Sequence, residues 1–160
     1  MLITPSGHSA DINVERKIEM AEKLITVKLD VVAKSGNLLA TLTFQNVSDK
    51  NVYLDKYTSC LLDQLTSRVF EIIGQDGAAL EYVGIMVKRK YNRDDFIRVE
   101  PGKAVSTSVV LNKFYTFPRE RQEYSVVYKV LNHSYEDIQG SFELISNKIV
   151  VPQQYLEDAK

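Results

Sequence analysis

The sequence predicts an all-β protein, an antiparallel β-sandwich of about eight or nine short strands, and three observations predict it. Apolar and polar residues alternate in several separate segments, as in half-buried strands. Clusters of Gly, Asn, Asp and Ser punctuate those segments. No segment carries a sustained helical period.

Residues 1–20 hold Pro5, Ser6, Gly7 and Ser9 with little periodicity, and read as an N-terminal tail or loosely docked arm. Within Val14 to Lys23 there is room for a short helical turn. A single sandwich domain is expected over 21–152, with a C-terminal tail over 153–160. From Leu24 to Val32, Ile25, Val27, Leu29 and Val31 share one face, while Thr26, Lys28 and Asp30 take the other. Ser35-Gly36-Asn37 turns this strand into the next, where Leu38, Ala40, Leu42 and Phe44 repeat the alternation. Asn46 to Asn51 is a second polar turn, followed by a short strand at Val52-Tyr53-Leu54. Asp55 to Ser67 is irregular. Arg68 to Ile73 is strand-like, and Gln75-Asp76-Gly77 turns it into an expected strand over Ala79 to Val83. Val105, Thr107, Val109 and Leu111 alternate again, and Lys113 to Gln122 reads as a long surface connection. Tyr124, Val126, Tyr128 and Val130 form another strand, with Ser141 to Ile145 as a candidate hairpin partner and Ile149 to Val151 as a last short strand. The predicted inward set is Ile25, Val27, Leu29, Leu42, Phe44, Phe70, Ile72, Val109, Val126 and Tyr128.

A chain of 160 residues is large enough for one domain with its own core. Its net charge of −1, with 20 Lys and Arg against 21 Asp and Glu, disfavours nucleic acid as a partner. No apolar run approaches the length of a membrane span, and Met1 to Glu19 lacks the apolar centre of a signal peptide. A cytoplasmic protein is expected, or a periplasmic or secreted one where a leader has been removed. Cys60 is the only cysteine, so no internal disulfide is expected; beside Leu61 and Leu62 it reads as a small buried hydrophobe.

Chemistry is scarce. His8 lies in the tail-like region and His133 in a polar turn, without companions at ligand spacing. The seven glycines are scattered singly, with no phosphate-binding loop. Asp94-Asp95 stands beside Arg93 and Arg98, which favours solvated or ion-paired carboxylates over calcium binding or an acid–base pair. Tyr53, Tyr57, Tyr82 and Tyr91 read as tyrosines covering a sheet, or alternatively as a stacking platform for carbohydrate. No enzyme activity, metal or cofactor is expected. The remaining feature is Glu81 to Lys90, a strand running into a basic loop at Lys88 to Arg93 and followed by Asp94 to Gly102. A cationic loop held between strands presents side chains to a partner; otherwise it is a solvated face.

Several segments together carry a family resemblance. They are Leu42 to Leu54, Leu65, Arg68 to Ile72, Tyr82 to Arg89, Asp95 to Gly102, Leu111 to Tyr115 and Tyr124 to Tyr128. In this order they resemble the immunoglobulin-like N-terminal pro-domain of the deuterolysin and peptidyl-Lys zinc metalloendopeptidases, the aspzincins, over roughly two thirds of the chain. Most specific is Tyr82-x-Gly84-x-x-x-Lys88-Arg89, followed by Asp95-Phe96 and Pro101-Gly102. Family members are secreted precursors with a signal peptide and a downstream catalytic domain, neither of which this sequence carries, and Lys90-Tyr91-Asn92-Arg93 replaces a shorter, proline-containing segment.

The resemblance implies a free-standing inhibitor or immunity protein, monomeric when unbound, that blocks a zinc metallopeptidase. An excised pro-domain and a non-inhibitory adhesion or carbohydrate-binding sandwich are the alternatives. Part of the family prefers lysine beside the scissile bond, which implies an acidic cleft. The expected contact residues are therefore Lys88 as the inserted lysine, Arg89 and Lys90 as steering charges, and Tyr91 and Arg93 beside them. The irregular Asp55 to Ser67 segment is the fallback.

Overall fold

The computed structural model describes residues 23–62, 64–118 and 122–151. The expected tails, including His8 and the possible helical turn before Lys23, lie outside these. Within them the chain forms nine strands and no helix longer than a single 3-10 turn. The all-β sandwich prediction therefore holds.

Strands β1 (Ile25–Lys34) and β2 (Asn37–Asn46) form the predicted hairpin. Its two-residue turn, Ser35-Gly36, takes φ of 52° and 81°, the left-handed pair whose twist suits a tight hairpin. Register sets Val27 opposite Phe44, Leu29 opposite Leu42 and Val31 opposite Ala40, so the predicted faces coincide and all six side chains are buried. Strand β3 (Val52–Asp55) pairs with β5 (Phe96–Val99), and β6 (Ala104–Val110) joins the far side of β2. The opposing layer is built on β7 (Tyr124–Asn132). Strand β4 (Phe70–Gly74) pairs with one edge of β7, while β8 (Phe142–Ile145) and β9 (Ile149–Val151) share the other.

All ten residues predicted to face inward belong to one core cluster. Phe44 of β2 meets Tyr128 of β7 edge to face at 5.6 Å, which closes the two layers on each other. The layers are also stitched by polar groups. Between β8 and β9, the Asn147 amide accepts from the Leu29 N–H at 2.7 Å and donates to the Leu29 carbonyl at 3.1 Å. At the other end, Asn132 of β7 accepts from the Asp55 N–H and donates to the Tyr53 carbonyl, binding β3 to the second layer.

The expected strand over Ala79 to Val83 does not form. Isolated bridges stand in its place, Ile73 with Ala79 and Tyr82 with Tyr115. The Asp-Gly turn is real, with Gly77 at φ 84°, and Leu80 donates to Ile72. Beyond Leu80 no neighbouring strand continues the ladder, and from Val83 onward the backbone is irregular until Arg93.

Candidate protein-binding loop

Residues 83–88 form an exposed, irregular loop between these bridges and β5. Its apolar side chains face water: Val83 is 54% exposed, Ile85 52%, Met86 70% and Val87 43%. Side chains of both parities are exposed, so the segment has no core face, which alternation alone would have given it. The sequence signal was the unbroken Ile85-Met86-Val87 run before Lys88, too short for a buried strand and too apolar for a simple turn.

The loop is nevertheless fixed. At its start, the Val83 N–H donates to the Phe114 carbonyl at 2.8 Å and the Thr116 N–H to the Glu81 carbonyl at 3.1 Å. Tyr82 then folds back over Gly84, and its hydroxyl donates to the Ile85 carbonyl at 2.6 Å. A Cβ on Gly84 would lie 2.6 Å from the Tyr82 ring Cζ, so any other residue there pushes the far end of that ring aside. Burial pushes the Tyr82 hydroxyl pKa up, which keeps it a donor. Further on, the Val87 N–H donates to the Thr66 carbonyl at 3.0 Å.

Arg89 closes the far end. Its guanidinium donates to the buried Asp55 carboxylate, and to Asp95 at 3.2 Å. It lies between two rings, 3.9 Å from the Tyr57 centroid and 4.4 Å from that of Tyr91. Asp55 is held in turn by the Tyr57 N–H at 3.1 Å, and Asp95 by the Asn92 N–H at 3.0 Å. The residues of the Tyr82-x-Gly84-x-x-x-Lys88-Arg89 pattern thus divide cleanly. Tyr82, Gly84 and Arg89 are fasteners, and Lys88 is left facing solvent.

The other expected contact residues also part company. Lys88 and Lys90 are exposed and make no ion pair among the described residues. Arg89 points inward onto two carboxylates, so it is a half-buried anchor and not a free steering charge. Tyr91 is 47% exposed, with one face on Arg89 and its ring tilted against His133 at 4.1 Å. Arg93 is exposed but doubly bonded to Glu136, at 2.8 and 3.2 Å. A shallow cleft of ≈ 380 Å³ runs between the loop and this cage, lined by Tyr57, Thr66, Val87, Lys88, Tyr91 and His133 among others.

The candidate tyrosine platform is split. Tyr57 and Tyr91 enclose Arg89, Tyr82 packs on Tyr115, and Tyr53 stacks on Tyr135 at 4.1 Å. Asp95 is ion-paired, as expected, while Asp94 is exposed and its carbonyl accepts from Lys56. Among the described residues no group of three or more His, Cys, Asp or Glu side chains is gathered to hold a metal ion. Cys60 is buried, and burial pushes its thiol up to about 12. The fallback segment is tied to both layers, the Cys60 carbonyl accepting from Thr107 and the Thr58 carbonyl from Tyr128, each at 2.7 Å. No helix among the described residues is long and apolar enough to cross a membrane. No protein-family model matches the chain, and no curated protein matches it.

Proposed function

We propose that the chain is a non-catalytic protein-binding module that inhibits a zinc metallopeptidase of the deuterolysin or peptidyl-Lys type by laying the 83–88 loop across its cleft. One observation carries this reading: exposed apolar side chains and a free lysine sit on a backbone fastened at both ends. Contiguous exposed apolar surface of this kind marks a site that a partner covers. A segment already fixed in shape loses little conformational entropy on association, so its contacts go into affinity.

The choice of partner comes from the resemblance to aspzincin pro-domains. In a cell that carries such a peptidase, a module of this type guards the cell's own proteins against it. An excised pro-domain would use the same loop. The test is titration of a purified deuterolysin-type peptidase with the full chain. Stoichiometric loss of activity and a co-eluting complex are expected. Full activity in excess chain, with no complex on size exclusion, rejects the reading.

A further inference from the structure

We propose that Ile85-Met86-Val87, rather than Lys88, is the segment that seats in the partner, in an apolar recess rimmed by carboxylates, and that the Tyr82–Gly84 clamp holds it in a shape a peptidase cannot process. The seat in a peptidase cleft rests on the function proposed above; the clamp stands on the geometry alone.

Exposure and charge support the seat. Among the described residues Met86 is the most exposed of the large apolar side chains, at 70%, and its neighbours Ile85 and Val87 are also open to solvent. Methionine is flexible and polarizable, and it fills recesses of imperfect shape. Around it, Arg89 is neutralised by Asp55 and Asp95, and Arg93 by Glu136. The uncompensated cations of the loop are therefore Lys88 and Lys90, both on its C-terminal side. An apolar anchor flanked on one side by two free lysines complements a hydrophobic recess with carboxylates along one rim. The lysines then speed encounter, while the apolar contact sets residence time.

The clamp follows from how peptidases bind. A peptidase draws several consecutive residues into extended register, which a fixed loop refuses unless it opens locally. Here the Val83 N–H, the Ile85 carbonyl, the Val87 N–H and the Arg89 side chain are all engaged within the fold. Gly84, Met86 and Lys88 alternate with these fastened residues, so no two neighbours are both free to adjust. The fastener most easily released is Tyr82, because a methyl group on Gly84 displaces only the far end of its ring. Gly84→Ala therefore opens the clamp while leaving every contact side chain in place.

Four variants of the full chain separate these claims. Against a deuterolysin-type peptidase, Met86→Asp is expected to weaken inhibition about 100-fold, by forcing a charge into an apolar recess. The paired change Lys88→Ala/Lys90→Ala is expected to cost about 10-fold, mostly in association rate and with reduced salt dependence. Retention of parental inhibition by Met86→Asp, or a larger loss from the lysine pair, overturns the seat. For the clamp, thermolysin and trypsin serve as probes unrelated to the partner, with cleavage sites mapped by mass spectrometry. The parent chain is expected to resist cutting between Val83 and Lys90, and Gly84→Ala to be cut there. Tyr82→Phe, which removes only the hydroxyl bond, is expected to fall between them. Equal cleavage of the parent and both variants overturns the clamp. If the parent resists cleavage but inhibits no peptidase, the proposed function and the seat fall together while the clamp stands.

Discussion

At the level of single residues, the Arg89 cage gives the sharpest expectations. One guanidinium faces two carboxylates, with Asp55 wholly buried. Removing one partner of a buried pair leaves the other charge uncompensated, which costs far more than an exposed pair contributes. Arg89→Met keeps apolar packing between Tyr57 and Tyr91 yet strands Asp55 beside Asp95. It is expected to destabilise the fold by about 3–5 kcal/mol in denaturant titrations. Arg93 and Glu136 contrast with this, because both side chains are exposed to solvent. The hydrogen bond from Arg93 lowers the Glu136 pKa below its ordinary value. Folding therefore gains from the pair above the unfolded Glu pKa, and the gain is lost as pH falls through the depressed folded value. A carboxyl NMR titration should place the Glu136 midpoint below that of a free glutamate, and Arg93→Gln should return it. From sequence, Arg89 stood with Lys90 as a steering charge beside the inserted Lys88, and nothing marked it as an anchor. What set Arg89 apart was Asp55, 34 residues upstream, and no local pattern reports such a pairing.

Elements were legible where a strand has one buried face. The β1–β2 hairpin, β4 and β7 all follow from alternation, since their ladders and faces agree. Ala79 to Val83 misled because periodicity reports which side chains want burial, not whether a partner strand exists to complete the ladder. The break between β8 and β9 was legible, since Ser141 to Ile145 and Ile149 to Val151 read as separate strands, but the bonds that fill it were not. There the Ser146 N–H donates to the Tyr128 carbonyl, and Asn147 supplies through its side chain the bonds that a strand would offer to β1. Asn147→Ala leaves the Leu29 N–H and carbonyl without these partners at the seam of the two layers. A loss of about 1–3 kcal/mol is expected in equilibrium unfolding, with the amide of Leu29 exchanging faster than its β1 neighbours.

Across the whole molecule, one chain of aromatic rings connects the core to the loop. Phe44 meets Tyr128, Tyr128 meets Phe70 at 5.8 Å, Phe70 meets Tyr115 at 6.4 Å, and Tyr115 meets Tyr82 at 5.4 Å. The two ends of this chain answer differently to mutation. Phe44→Ala opens a cavity between the layers and should cost about 3–5 kcal/mol without touching the loop directly. Tyr115 stands nearer the clamp, and its hydroxyl accepts from the Phe70 N–H and donates to the Phe70 carbonyl, both at 3.0 Å. It thereby satisfies the free edge of β4 while its ring supports Tyr82. Tyr115→Phe keeps the ring but leaves two buried backbone groups unpaired, at a cost of about 1–3 kcal/mol. If the ring alone supports the clamp, the amides of Val83 and Val87 keep their parental exchange rates in this variant, relative to global stability. Tyr115→Leu removes the ring as well, so both amides should exchange faster than the global loss accounts for. Identical exchange in the two variants would mean that the loop is fastened independently of the aromatic chain.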